Sequence, residues 1–108
     1  MVMASGCVTI FYTAQKKSAA ENKITQAINA YERGLQFEQA GKPDPAIAEY
    51  KRANEISPRP VAYYHLGLIY AAKAEYLTAI SNFEKALELV PTFEAAKKEL
   101  DRIKSISK

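Results

Sequence analysis

Residues able to do chemistry are scarce in this 108-residue chain. It holds one cysteine, Cys7, and one histidine, His65. A single thiol cannot close an internal disulfide, and neither residue stands in a cluster with the spacing of metal ligands. Acid–base or nucleophilic catalysis needs side chains that orient one another. Here that would require Tyr64, His65 and Glu38 to converge from separate parts of the chain. No glycine-rich phosphate loop is present. His65 therefore reads as a surface or half-buried helix residue and Cys7 as an inert thiol. The expectation is no enzyme, no metal and no cofactor.

The residues that recur are packing residues. At an offset of 33, Gly34 returns as Gly67, Phe37 as Tyr70, Ala46 as Ala79 and Ile47 as Ile80. Tyr50 returns as Phe83, Ala53 as Ala86 and Pro58 as Pro91. Self-similarity at such a period marks a helical repeat, which builds a surface more readily than a reaction centre.

Composition agrees with one small domain, 48% hydrophobic and 25% charged. The net charge of +3 is too mild to imply nucleic acid. It is unevenly spread. Residues 27–96 carry seven basic and nine acidic groups, and residues 97–108 carry five basic and two acidic ones.

Along the chain, apolar residues at three- and four-residue intervals predict helices. Ile24, Ile28, Tyr31, Leu35 and Glu38 mark the first, within 18–40, and Gly41 stands where it stops. Asp44 is expected to cap a second helix with Pro45 in its first turn. That helix carries Ala46, Ile47, Tyr50, Ala53 and Ile56 to Pro58. Pro58 and Pro60 force an extended link. A third helix, 60–73, has two apolar stripes and must be covered on two sides. The turn at Ala74-Glu75 lacks a glycine, so it should be tighter or more strained than the first. A fourth helix runs 76–89. The last, 92–105, sets Phe93, Ala96, Leu100 and Ile103 against a charged face, as the end of a stacked array requires. Glu94 with Lys98 and Lys97 with Asp101 read as surface pairs on it.

Residues 1–14 are almost free of charge and too short for a membrane span. They could pack on their own domain or a neighbouring copy. They could be the trimmed end of an anchor or secretory signal, or a disordered tail. Ala4-Ser5-Gly6-Cys7 resembles a lipoprotein cleavage site, without the apolar core that should precede it.

These features resemble the tetratricopeptide repeat. Tyr63, Leu66, Gly67, Tyr70, Ala79, Phe83, Ala86 and Pro91 match the family pattern in the second copy. Gly34, Phe37, Ala46, Tyr50, Ala53 and Pro58 match it in the first. Ala30 and Arg33 depart from it, standing where a bulky aromatic and a leucine are usual. The resemblance implies an all-α superhelix of two helical hairpins with a C-terminal capping helix. The expected division is an apolar extension at 1–23, repeats at 24–58 and 59–91, and a cap at 92–108.

In this family the first helix of each hairpin lines a concave face. The resemblance thus implies a peptide-binding groove of Ile28, Tyr31, Leu35, Glu38 and Gln39 with Val61, Tyr64, Leu68, Ala71 and Ala72. Members that clamp acidic chaperone tails place lysine, arginine and asparagine there, so a tyrosine-lined groove suits an apolar or amphipathic segment instead. The implied function is an adaptor for a protein or peptide partner, not for nucleic acid. The alternative is a self-assembling module whose groove is filled by Val8, Ile10, Phe11 and Tyr12 or by a second copy, making a homo-oligomer. A cytoplasmic location, or one attached to a membrane and facing the cytoplasm, fits either.

Overall fold

The computed structural model describes residues 22–106, and their regular structure is entirely helical. Helix α1 covers 22–39. It is followed by α2 (Pro43–Ile56), α3 (Pro60–Ala72), α4 (Tyr76–Leu89) and α5 (Glu94–Ile106). The N-terminal apolar stretch, with Cys7 and the proposed plug residues, lies outside the described residues.

Local sequence explains each boundary. Helix α1 ends in Gly41 at φ +73°, with the Gly41 N–H donating to the Glu38 carbonyl and the Lys42 N–H to the Phe37 carbonyl. This left-handed cap satisfies carbonyls that the helix end leaves open. Helix α3 ends the same way at the equivalent register. Ala74 takes φ +62°, its N–H donates to the Ala71 carbonyl, and the Glu75 N–H donates to the Tyr70 carbonyl. The expected strain at this turn is therefore a left-handed alanine. Between the hairpins, Ser57 and Arg59 are extended, as residues before proline must be.

Asp44 does not cap α2. The helix starts one residue earlier, at Pro43, and Lys42 is its N-cap with no side-chain bond. Asp44 lies within the first turn, where its charge complements the helix dipole, and it pairs with Lys73 across the hairpins. Helix α5 likewise begins at Glu94 rather than at residue 92. Its expected surface pairs are replaced by Arg102 with Glu99, 2.6 Å between Nη2 and Oε2.

The core lies where helices cross. Tyr50, Phe83, Leu66 and Ile103 are its largest fully buried side chains, and Ala46, Ala53, Ala79, Ala86 and Ala96 are fully buried beside them. A Cβ on Gly34 would meet the Tyr50 ring at 2.6 Å, and one on Gly67 would meet Phe83 at 2.6 Å. Glycine is thus required at both places by close approach, not by backbone conformation. Helix α3 packs on α2, α4 and α5, which is why it is apolar on two sides. Helix α5 buries Ala96, Leu100 and Ile103 and leaves Lys97, Lys98 and Asp101 exposed. The result is two stacked helical hairpins closed by a capping helix.

Candidate functional site

The ten residues expected to line the groove lie on or beside helices α1 and α3. Tyr31 and Leu35 of α1, with Tyr64, Leu68 and Ala71 of α3, are half-buried and rest on the core. Ile28, Glu38 and Val61 are half-buried too, whereas Gln39 and Ala72 are exposed. The two tyrosines meet through His65. Its ring is 5.9 Å from Tyr31 and 5.7 Å from Tyr64, edge-on to both, and it stacks on Tyr50 at 5.3 Å. Tyr31 also lies 5.7 Å from Tyr50, and Tyr64 lies 5.9 Å from Phe83 and 5.2 Å from Phe93. The face is the outer layer of a continuous aromatic cluster rather than a loose stripe. Such clusters favour tilted and edge-on geometries, which hold the rings in place.

Glu38 is the polar centre of this cluster. The Tyr50 hydroxyl donates to its Oε1 at 2.5 Å. His65 Nδ1 lies 3.0 Å from the same oxygen, without the alignment of a hydrogen bond. His65 and Glu38, which the sequence holds in separate parts of the chain, thus do converge. Glu38 and His65 belong to different hairpins, and stacking brings them together. Burial, reinforced by the hydrogen bond to Glu38 and its charge, pushes the Tyr50 hydroxyl well above its ordinary acidity range. Burial, with the charge of Glu38, raises Tyr31 as well, and Arg59 partly opposes this.

The meeting of His65 with Glu38 supplies part of what catalysis would need, but its chemistry is that of a strut. The hydroxyl on Glu38 is that of Tyr50, which is fully buried and held protonated. A hydroxyl so placed donates a hydrogen bond and cannot reach a substrate. Among the described residues no group of histidine, cysteine or carboxylate side chains could hold a metal, and no helix is long and apolar enough to cross a membrane.

Sequence reasoning missed Tyr50, His65 and Arg59 as parts of this face. Tyr50 was placed correctly in the core, but its hydroxyl gave no hint of the acceptor twelve residues earlier. A distinguishing signal was available: tyrosine where the other copy has phenylalanine implies that a buried hydroxyl must find a partner.

Stacked helical hairpins with a repeating glycine–aromatic crossing define an α-helical repeat protein. The family model described as tetratricopeptide repeat matches residues 60–93. The cell division cycle protein 27 homolog of Caenorhabditis elegans is 31% identical over 91 residues, an alignment spanning 69% of this chain and 12% of that protein. The solved second tetratricopeptide domain of Spaghetti (RPAP3), bound to an HSP90 peptide, superposes with a TM-score of 0.76 at 23% identity over 82% of each chain. Residues 60–93 thus match a tetratricopeptide repeat, and the described residues share the fold of the solved tetratricopeptide domain.

Proposed function

We propose that this chain is a protein–protein interaction module that takes an apolar or amphipathic peptide segment on the α1–α3 face. In this reading residues 24–58 and 59–91 act as two repeats of one surface, with 92–108 as its cap. The carrying observation is the row of half-buried tyrosines and leucines at one register on both helices, Tyr31 with Tyr64 and Leu35 with Leu68. Aromatic surface of this kind gives large contact area at low entropic cost. The RPAP3 domain was solved with the HSP90 peptide SRMEEVD, which is rich in carboxylates. The ten face residues of this chain include no cation, and their one carboxylate, Glu38, already engages Tyr50 and His65. An acidic tail finds no counter-charge among these ten and only Arg59 beside them, whereas an apolar helix face finds matching surface along the whole row.

Calorimetric titration tests this with two probes, SRMEEVD and a blocked amphipathic helix of leucine and glutamine. The expected result is tighter binding of the helix. Leu35→Gln with Leu68→Gln should weaken it by about tenfold, equivalent to ~1.4 kcal/mol. Tighter binding of SRMEEVD, or a helix affinity indifferent to the double substitution, would overturn the proposal.

A further inference from the structure

A second cleft, of about 340 Å³, opens between α2 and α4 with α3 as its floor. None of its ten lining residues belongs to the α1–α3 face. Leu66 and the rings of Tyr63 and Tyr70 make the floor, and Lys51 and Lys85 stand one on each wall. Lys51 Nζ lies 5.9 Å from the Tyr70 ring centre, and Lys85 Nζ lies 5.7 Å from that of Tyr63. A ring face attracts an ammonium without cancelling its charge. Neither lysine forms an ion pair among the described residues. Both therefore keep their full charge at the cleft, against one carboxylate in the lining, Glu55.

The same cleft holds an unsatisfied amide. Asn54 is 8% exposed, and it occupies the register at which the second hairpin has Leu87. Its Oδ1 accepts the Arg59 N–H at 2.9 Å, which fixes which end of the amide is which. Its Nδ2 is buried and has no acceptor among the described residues. A buried donor left unpaired costs about 1–3 kcal/mol, so its retention asks for an acceptor from beyond the described residues.

We propose that this cleft is a second binding site, taking an acidic peptide whose carboxylates pair with Lys51 and Lys85. Two unneutralised ammoniums and a free amide donor over aromatic rings match carboxylates carried beside apolar side chains. A nucleic acid strand would need a longer track of cations along its phosphates than the two present here.

The test is an NMR titration of the full chain with a blocked hexapeptide of alternating glutamate and leucine. The glutamine–leucine analogue and a thymidine hexanucleotide serve as comparisons. The glutamate peptide should shift the Asn54 side-chain amide and the neighbours of Lys51, Tyr63, Tyr70 and Lys85. Lys51→Gln with Lys85→Gln should weaken it by about tenfold, and Glu55→Gln should strengthen it. Leu35→Gln with Leu68→Gln should leave it unchanged, which separates this site from the α1–α3 face. Shifts confined to α1, α3 residues 61, 64 and 68, or α5 would overturn the proposal. So would equal binding of the glutamine peptide, stronger binding of the oligonucleotide, or no shift at all.

Discussion

The two hairpins share one backbone plan and differ in how they are wired. At 33-residue spacing, Tyr50 of the first faces Gly34 as Phe83 of the second faces Gly67. Where the first places Glu38 to receive the Tyr50 hydroxyl, the second has Ala71, and Phe83 has no hydroxyl to place. Where the first has Arg33, paired with Glu49 at 2.9 Å, the second has the buried Leu66, and Asn82 at the register of Glu49. Of the two departures from the family pattern, Arg33 is thus compensated by Glu49, and Ala30 is fully buried. Arg33 and the Tyr50 hydroxyl each enter the first hairpin together with a carboxylate that receives them, whereas the Asn54 amide nitrogen enters without an acceptor among the described residues. The second hairpin reaches the same geometry with apolar packing alone.

The largest effect is expected where the hairpins agree. Gly67→Leu must displace Phe83, a fully buried ring, and should cost about 3 kcal/mol or more by overpacking. Alanine sharpens the contrast. Its added Cβ meets an aromatic ring at 2.6 Å in either hairpin, and helix propensity offsets the clash by about 1 kcal/mol in both. The Tyr50 ring is tethered at its hydroxyl, whereas Phe83 has no such tether. Gly34→Ala should therefore destabilise more than Gly67→Ala in urea unfolding. Equal midpoints would show that the tether to Glu38 does not stiffen the first hairpin.

The next effect concerns the polar pair itself. Glu38→Ala strands a buried hydroxyl and should cost about 1–3 kcal/mol. Tyr50→Phe should cost about 1 kcal/mol. Making both changes rebuilds the wiring of the second hairpin, and should cost less than the sum by roughly 1 kcal/mol, read from a double-mutant cycle. Strict additivity would mean that the hydrogen bond carries no net stability. The pair also predicts a pH dependence. The folded state keeps the Tyr50 proton above the ordinary value of 10.0, while the unfolded state releases it there. Above that pH the unfolded chain binds fewer protons than the folded one, so stability falls as pH rises. Melts between about pH 9 and 11 should show a steeper fall for the wild type than for Tyr50→Phe, which retains only the smaller contribution of Tyr31. Parallel slopes would contradict the assignment.

This contrast explains how much of the molecule could be read in advance. Gly34, Gly67 and the recurring alanines announce close helix crossings because small residues at fixed spacing have few other reasons to recur. Prolines and glycine mark boundaries because they restrict φ or tolerate its left-handed range. Those signals are local or periodic, and they suffice for the stacked fold and for which helices face one another. The contact of His65 with Glu38 is neither. It joins residues 27 positions apart on different hairpins and breaks the repeat, so no spacing encodes it. Lys73 with Asp44, 29 positions apart, is hidden for the same reason, and there the local reading of Asp44 as a cap competed with the true partner. The polar half of the candidate face was illegible because side-chain partners across a stack depend on its register to within about one helical turn.

The smallest effect falls at the turns, where the hairpins differ by one methyl group. Gly41 and Ala74 hold the same left-handed cap, with the same pair of backbone hydrogen bonds. A left-handed conformation costs a residue bearing a Cβ about 1–2 kcal/mol. Nothing lies within 4 Å of a Cβ placed on Gly41, so Gly41→Ala meets that conformational cost with no steric one. It should destabilise by about 1 kcal/mol. Ala74→Gly should stabilise by a similar amount, reduced by the extra freedom that glycine gives the unfolded chain. Making both exchanges together transfers the strain from one turn to the other and should leave the melting temperature close to that of the wild type. Stabilisation by Ala74→Gly without a matching loss at Gly41→Ala would show that the first turn tolerates alanine by opening its cap, and amide exchange at Lys42, whose N–H closes that cap on the Phe37 carbonyl, would report the opening directly.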